Sequence, residues 1–458
     1  MLDQQFFQNE KFQEFLNSNF ILYRASRGEK SGDETFKKFN IRGTPTVMML
    51  GSDGSEVDWH VGYGPPPEKF LERLEKSVKG IDTFKSLSDR YSKDPKNVEV
   101  VFKLAQKYNS RYVEEKALEL YKKVLALDPA GKKGTTDYNE EKVTYTEYAE
   151  YSIGELSAYA RKRDPEPLKA FIKKYPESKM LKSAYSRLSS YYMYSGSKEE
   201  ATAFFEEYTS KYPDEPYVLS SHVSRIIRDK ENVERGIELA EKIKDIMKYN
   251  PDPSYMKDLA DLYMLKEEKE KAEEVFGKRF MEGKVSSLAS YLIRYADFWV
   301  KHNMNTESAE EMIDVALKLI PETRWFQIQS AASIYLTLKK PDKALEIYGP
   351  EFAKKHAGDS DILSSYARFW ASQGKNLESA LEAAKKAVEL YATDSKWDSL
   401  SLVYQKLGKY DEALKAAEKA VELADEQMKV RYKSRVDQIK KEMSEKKEKD
   451  KLKEKEQK

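Results

Sequence analysis

The chain has 458 residues, of which 35% are charged, and its 80 lysines and arginines nearly balance 79 aspartates and glutamates, for a formal charge of +1. This balance gives no basic excess that would favour nucleic acid or an anionic membrane as a partner, and no apolar run approaches the length of a membrane span. Cysteine is absent, which excludes disulfides, thiolate metal sites and a thiol nucleophile from this chain. The four histidines lie in different segments without metal-site spacing, so no cofactor is expected.

The first 79 residues alternate between strand and helix signals. In chain order we predict a strand over residues 20–23, a helix over 33–39, a strand over 46–50, a tight turn over 51–54 and a strand over 56–61. The Asp-Gly pair in the turn favours a hairpin. A helix should open at Pro66, with Phe70, Leu71 and Leu74 on one face.

This order of elements, with Gly43-Thr44-Pro45-Thr46 before the hairpin, resembles the C-terminal two-thirds of a thioredoxin fold. The family carries a cis-proline loop at this place. The resemblance therefore implies a cis Thr44–Pro45 peptide bond and a bound substrate strand flanked by Thr44 and Pro45. Leu2-Asp3 and the apolar residues after it are similar to the segment that follows the active site in bacterial proteins of the Trp-Cys-x-x-Cys type. We expect residues 1–79 to be a thioredoxin-like domain.

The sequence differs from that family at the place where the active-site cysteines would be. The family's first strand and its two active-site cysteines would precede Leu2-Asp3, whereas this chain begins at Met1. Thioredoxin chemistry needs a low-pKa thiolate and a second, resolving thiol, which a chain without cysteine cannot supply. Two explanations are open. The natural protein is longer and carries the motif upstream of Met1, or the domain is a truncated remnant retained for packing.

The remainder of the chain repeats one pattern eight times. A small residue is followed after three positions by an aromatic residue (once isoleucine), and after twelve or thirteen by a second small residue. The triples are Ala105/Tyr108/Ala117, Ser189/Tyr192/Ala201, Ser224/Ile227/Gly236, Ala260/Tyr263/Ala272, Ala296/Trp299/Ala309, Ala332/Tyr335/Ala344, Ala367/Trp370/Ala380 and Ser401/Tyr404/Ala413. Antiparallel helices cross closely where both carry a small side chain, and the aromatic residue fills the space beside that crossing.

A period near 34 with this pattern resembles the tetratricopeptide repeat. We therefore expect a mostly α protein, with a tetratricopeptide α-solenoid of about nine helical pairs over residues 80–425, preceded by the partial α/β thioredoxin-like domain. One pair, between residues 144 and 176, lacks the pattern. Residues 426–444 should form a capping helix with an apolar stripe at Met428, Tyr432, Val436, Ile439 and Met443. Residues 445–458 should be a frayed helix or a disordered charged tail.

The repeat resemblance implies a protein or peptide partner on the concave face, which the first helix of each pair mainly lines. The candidate binding residues are those on first helices that the repeat pattern does not explain, namely Ser186, Arg187, Tyr191, Arg225 and Arg294. Off-pattern tyrosines that could line a groove are Tyr148, Tyr151, Tyr159, Tyr191 and Tyr194. We expect a binding scaffold without catalysis from this chain. The alternative is a fragment of a thiol–disulfide oxidoreductase whose Cys-x-x-Cys lies upstream of Met1.

Overall fold

A computed structural model describes residues 9–26, 30–62, 67–159, 163–249, 252–282, 289–321, 324–424 and 426–456. The chain divides into two compact units. The first contains residues 1–23 and 36–251, and the second contains residues 24–35 and 252–458. Each unit is described separately below.

The N-terminal elements form the expected partial α/β arrangement. They are α1 (Glu10–Asn19), α2 (Lys30–Lys38), β1 (Thr46–Leu50), β2 (Glu56–Val61) and α3 (Pro67–Val78). The two strands are antiparallel, with Thr46 opposite Val61 and Met48 opposite Trp59. Met49 packs with α1 and α3 in a small core made by Phe12, Leu16, Met49, Phe70 and Leu74. The hairpin and the apolar face of α3 were therefore predicted correctly, although Pro66 itself lies outside the described residues.

The prediction of a strand over residues 20–23 is wrong. The N–H of Phe20 still donates to the carbonyl of Leu16 and ends α1. Ile21, Leu22 and Tyr23 follow outside any helix or strand, with exposed side chains. A strand requires a neighbour to share backbone hydrogen bonds, and among the described residues β1 pairs only with β2. Apolar composition alone therefore did not identify a member of a sheet.

Helical pairs fill the rest of the first unit. A single helix, α4 (Phe84–Lys93), precedes them. The pairs are α5 (Val98–Ser110) with α6 (Glu114–Leu127), α7 (Tyr145–Tyr159) with α8 (Glu166–Lys174), α9 (Leu181–Tyr194) with α10 (Lys198–Lys211), and α11 (Pro216–Asp229) with α12 (Val233–Ile246). Side-chain caps begin several of these helices; Asn97, for example, accepts a hydrogen bond from the N–H of Val100. The pair without the repeat pattern, α7 and α8, lies where it was expected.

A short hairpin between the first two pairs was not predicted. β3 (Thr135–Tyr138) and β4 (Glu141–Thr144) are antiparallel, with Thr135 opposite Thr144. The sequence from residue 131 to 136 has no apolar alternation that would indicate a strand. Tyr138 nevertheless packs against the rings of Tyr148 and Tyr151, which holds the hairpin on α7.

The second unit continues the same pairing. Its helices are α13 (Pro253–Leu265), α14 (Lys269–Phe276), α15 (Lys278–Glu282), α16 (Ala289–Lys301), α17 (Thr306–Leu319), α18 (Trp325–Thr337), α19 (Pro341–Tyr348), α20 (Pro350–Lys355), α21 (Ser360–Gln373), α22 (Leu377–Leu390), α23 (Asp394–Lys406), α24 (Tyr410–Leu423) and α25 (Glu426–Glu456). The closing small residue of every triple, in both units, is buried. Most of the pattern aromatics are buried as well, while Tyr108, Ile227 and Tyr404 are half-buried. The mostly α class is confirmed.

Two pairs of the second unit have a second helix that is broken by glycine. Gly277 separates α14 from α15, and Gly349 separates α19 from α20. A Cβ atom at Gly349 would lie 2.1 Å from the carbonyl oxygen of Leu345, so a larger residue does not fit this bend. The indole N–H of Trp370 donates to the carbonyl of Tyr348, directly before the glycine, at 2.8 Å. The pattern tryptophan therefore satisfies a carbonyl at the end of the broken helix.

The last helix, α25, packs on the preceding pair through the expected stripe. Tyr432, Val436 and Ile439 are buried, and Val436 and Ile439 share a core with Ala413 and Ala417. The residues expected to fray or to be disordered remain helical to Glu456. Lysine and glutamate residues one turn apart support such a helix without a core; Lys441 and Glu445, at 4.0 Å, are one such pair.

Candidate functional site

The loop before β1 has the geometry that the thioredoxin resemblance implied. The Thr44–Pro45 peptide bond is cis. The carbonyl of Pro45 accepts a hydrogen bond from the N–H of Gly62 at 2.8 Å, and Thr46 Oγ1 donates to the carbonyl of Gly43 at 2.7 Å. Thr44 is exposed and Pro45 is half-buried. Neither residue has a titratable group, so this loop could hold a peptide but could not transfer a proton or an electron.

Trp59 anchors the neighbouring face of the hairpin to the first helical pair. Its ring lies between Phe84, with centroids 4.7 Å apart, and the guanidinium of Arg111, 4.5 Å from the ring centroid. Arg111 also donates to Glu56 Oε1 at 2.7 Å and to the carbonyl of Phe39 at 2.9 Å. These contacts fix the end of α5 against the hairpin, beside the loop that contains Thr44 and Pro45.

The preceding residue on β2, Asp58, has a buried carboxylate that accepts hydrogen bonds from several donors. It accepts hydrogen bonds from Ser77 Oγ at 2.7 Å, from the N–H of Phe84 at 3.3 Å and from Lys107 Nζ at 2.5 Å. His60 Nε2 lies 3.7 Å from the same carboxylate. Burial lowers the pKa of His60 to about 4, and this effect outweighs the opposing charge of Asp58. The cluster has the contacts of a structural joint, and its groups face the protein interior.

Three of the predicted binding residues, Ser186, Arg187 and Tyr191, lie together on α9. Arg187 is exposed; its Nε is 2.6 Å from Glu155 Oε1, and its Nη1 donates to the hydroxyl of Tyr159 at 3.1 Å. Tyr191 is half-buried and packs edge-on against Tyr192, with centroids 5.1 Å apart. Ser186 is half-buried one residue before Arg187. We call the surface formed by the first helices α7, α9 and α11 of the first unit the first-helix face.

The other two predicted residues do not join this group. Arg225 was expected to be free of packing, but its side chain is buried, with 8% of the residue exposed. Its Nε is 2.5 Å from Asp229 Oδ2, and it also donates to the carbonyl of Tyr192. Arg225 therefore ties α11 to α9 and is not available to a ligand. Arg294 is exposed, but it lies on α16 in the second unit, where it donates to Ser254 Oγ.

Sequence reasoning found the exposed tyrosines of the first-helix face but missed some of the charged residues beside them. Tyr159 is 53% exposed and Tyr194 is 68% exposed, whereas Tyr151 belongs to the core. The guanidinium of Arg228 lies 4.9 Å from the ring centroid of Tyr194. Glu155, which pairs with Arg187, was also missed. Both partners lie on neighbouring first helices, about one repeat away in sequence, and a one-repeat offset is the signal that could have identified them.

Two further groups, the buried His222 and the half-buried Asp258, have altered acidity. Burial lowers the pKa of His222 to about 4, and its ring stacks on that of Phe205 with centroids 5.5 Å apart. In the second unit, burial raises the pKa of Asp258 to about 6. Within the described ranges, no group of three or more histidine and acidic residues has the arrangement of a metal site. None of the helices searched there has the length and apolarity to cross a membrane.

Comparison with known proteins agrees with both parts of this fold. Residues 1–77 match the thioredoxin-like domain family, and residues 396–426 match the tetratricopeptide repeat family. The chain therefore has a thioredoxin-like domain at residues 1–77 and a tetratricopeptide repeat at residues 396–426. No curated protein matches the sequence significantly.

Among solved structures, the chain is similar to a tetratricopeptide repeat protein from Parabacteroides merdae, with 17% identity over 56% of this chain and 98% of the other, and a TM-score of 0.34. It is also similar to the Cut9–Hcn1 hetero-tetramer of the APC/C, with 10% identity over 81% and 85% of the two chains and a TM-score of 0.29. A third is the Naa15/Naa10 complex bound to HypK-THB, with 15% identity over 82% and 66% and a TM-score of 0.25.

Proposed function

We propose that this chain is a protein- or peptide-binding repeat scaffold whose ligand lies on the first-helix face of the first unit. The observation that carries the proposal is the pair of exposed tyrosines, Tyr159 and Tyr194, each in contact with an arginine of the next first helix. Tyrosine and arginine are the residue types that dominate binding energy at protein interfaces. The repeat pattern does not need either tyrosine for packing, since both project from the ends of their helices into solvent.

The thioredoxin-like domain of this chain contributes structure and not thiol chemistry under this proposal. The chain has no sulfur nucleophile, because it contains no cysteine. Its hairpin is joined to the first helical pair through Asp58 and Trp59. The domain thereby fixes the start of the repeat array. A fixed array loses less conformational freedom when a ligand binds, so the entropic cost of binding is smaller.

A peptide selection tests the scaffold proposal. Random dodecapeptides would be selected on the full-length chain, and the affinity of the selected peptides would be measured by fluorescence anisotropy. The double variant Arg187→Ala/Tyr191→Ala should bind at least about tenfold more weakly, a loss of about 1.4 kcal/mol. Tyr249→Ala is the matched control, because Tyr249 is an exposed tyrosine that follows the second helix α12 and lies outside the first-helix face. Failure to select any peptide, or equal binding by the double variant, would contradict the proposal.

A second candidate function is supported by the family match over residues 1–77. Under this proposal the chain is part of a longer thiol–disulfide oxidoreductase, whose Cys-x-x-Cys lies upstream of Met1 and whose substrate strand is flanked by Thr44 and Pro45. The in-frame genomic sequence upstream should then encode Trp-Cys-x-x-Cys. The extended protein should reduce insulin disulfides in the presence of dithiothreitol, while the present chain should not. A stop codon directly before Met1, with no such segment in any frame, would leave only the scaffold.

A further inference from the structure

We propose that the first-helix face selects acidic peptides, and that Arg163 and Arg228 provide the selectivity at the C-terminal end of α9. This inference rests on the proposed scaffold function and names the chemistry of its ligand. The ligand would place a carboxylate between these two guanidinium groups and an apolar side chain against the neighbouring tyrosines.

Both arginines contact residues 193–195, where α9 ends. One arginine comes from the chain before this helix and the other from the chain after it. Arg228, near the end of α11, donates to the carbonyl of Met193 and lies over the ring of Tyr194. Arg163 precedes α8, and its Nη1 donates to Ser195 Oγ at 3.2 Å. The two guanidinium groups are therefore anchored within three residues of each other. Both residues are exposed.

The charges of these two arginines are not balanced by carboxylates. On the same face, Arg187 pairs with Glu155 and Arg225 pairs with Asp229. Across the described part of the chain, neither Arg163 nor Arg228 has an aspartate or glutamate within ion-pair distance. The C-terminal end of α9 offers only a partial negative charge, of about half an elementary charge. Arg163 and Arg228 thus bring two positive charges to residues 193–195, at the end of α9.

The arginines also retain hydrogen-bond donors for a ligand. A guanidinium group has five N–H donors. The hydrogen bonds above occupy one nitrogen of each group, at Ser195 Oγ and at the Met193 carbonyl. A carboxylate can accept two parallel hydrogen bonds from one guanidinium, and this geometry is both stronger and more specific than a single bond. Arg163 and Arg228 could therefore bind one carboxylate together or two adjacent ones.

The aromatic residues define the rest of the ligand. Tyr194 lies beside Arg228. Arg187 is seven residues before Tyr194 on α9 and therefore lies on the same face of that helix. Arg187 also contacts the ring of Tyr159, which places this second tyrosine near the same face. An acidic residue next to a leucine or proline would satisfy both features. A nucleic acid fits less well, because its affinity comes from a long series of phosphate contacts, whereas the site proposed here rests on the two cations Arg163 and Arg228.

Anisotropy with defined peptides tests this proposal. The probe is a fluorescein-labelled dodecapeptide of glutamate and leucine, and its counterparts carry glutamine or lysine in place of every glutamate. The glutamate peptide should bind at least about tenfold more tightly than the glutamine peptide. Arg163→Gln/Arg228→Gln should remove this preference, since glutamine keeps a donor but not the charge. Arg90→Ala/Lys179→Ala removes two exposed positive charges elsewhere in the unit and should keep it.

Circular dichroism shows whether each variant has folded. Ser195→Ala is an independent variant, because it removes the hydrogen-bond partner of Arg163 without removing a charge.

Equal binding of the glutamate and glutamine peptides, or an unchanged preference in the double glutamine variant, would overturn the acidic selectivity. Tighter binding of a twenty-nucleotide oligouridine would overturn it in favour of RNA. In each case, the scaffold function stands if the Arg187→Ala/Tyr191→Ala variant still binds the peptides more weakly than the parent chain. Absence of all peptide binding would remove both proposals.

Discussion

The ammonium group of Lys107 lies 2.5 Å from Oδ1 of Asp58, a carboxylate whose side chain is only 1% exposed. The same carboxylate accepts hydrogen bonds from Ser77 at the end of α3 and from the N–H of Phe84 at the start of α4. One side chain of β2 thus holds α3, α4 and α5 together. Burying a carboxylate is costly unless it is paired and hydrogen-bonded, and this one has all of its donors within the first unit.

Replacing Asp58 with alanine should destabilise the first unit by about 3–5 kcal/mol, because the largely buried Lys107 loses its partner. The measurement is the free energy of urea unfolding, followed by circular dichroism. Asp89→Ala is the control, since Asp89 forms an exposed pair with Lys85 at 2.9 Å and should cost less than about 1 kcal/mol. An Asp58→Ala protein as stable as the control would show that this joint is not structural.

The first unit should lose stability as the pH falls from about 6.5 to about 4. Burial lowers the pKa values of His60 and His222 to about 4 in the folded chain, while the unfolded value is near 6.5. The unfolded chain therefore binds more protons in this range. The stabilising contribution is fully present above pH 6.5 and is lost as the pH falls towards 4, by up to about 3 kcal/mol for each histidine.

His222→Phe should make this pH dependence shallower, because it removes one titrating ring and preserves the stack on Phe205. His222 Nδ1 is buried and, in the described residues, has no hydrogen-bond partner, so phenylalanine leaves no new unsatisfied group. Urea midpoints at pH 7, 6 and 5 measure the effect. The variant and the parent should differ most at pH 5, and parallel pH curves would contradict the assignment.

Asp258→Asn should stabilise the second unit at pH 8 by roughly 1–3 kcal/mol. Burial raises the pKa of Asp258 to about 6, so ionisation costs more in the folded than in the unfolded chain. This cost is absent below the unfolded pKa near 4, grows as the pH rises towards 6 and is constant above it. Asp297→Asn, which breaks an exposed pair with Lys301, is the matched control. A gain that is independent of pH between 4 and 8 would rule out this cause.

Trp370→Phe should destabilise the second unit by about 1–3 kcal/mol, because it leaves the buried carbonyl of Tyr348 without the indole donor. Trp299→Phe should have a similar effect, since Trp299 donates to the carbonyl of Phe276 at 3.0 Å at the other broken helix. Tyr335→Phe is a useful comparison, because Tyr335 occupies the same pattern position but bonds outward to Asp314. Thermal unfolding of the three variants should rank both tryptophan changes as more severe.

The repeat register could be predicted from the sequence because a helix crossing imposes a strict limit on side-chain size. Ala117, Ala272 and Ala344 are all completely buried at such crossings. The breaks at Gly277 and Gly349 were missed, since each bend leaves no room for a Cβ atom beside the carbonyl four residues earlier, and periodicity does not reveal this. The prediction of a strand at residues 20–23 failed for a related reason. Strand pairing depends on two segments, whereas composition describes only one of them.

The surroundings of the candidate binding residues were predicted less well than the fold. Arg187 and Tyr191 lie on one surface as expected, but Arg225 is buried by contacts with Asp229 and with the Tyr192 carbonyl. Whether an arginine on a first helix is free or bound depends on the helix one repeat earlier, about 33 residues away in the case of Tyr192. A pattern that is read within one repeat cannot contain that information.

Site-specific photo-crosslinking tests most directly the claim that a ligand lies on the first-helix face of the first unit. Benzoylphenylalanine would replace Tyr194 in one protein and Tyr249, which follows the second helix α12, in another, and each would be irradiated with the selected dodecapeptide. Both tyrosines are exposed, so both probes are accessible. We predict a covalent peptide adduct at position 194 and none at position 249. An adduct only at position 249, or equal labelling at both positions, would contradict the assignment of the binding surface.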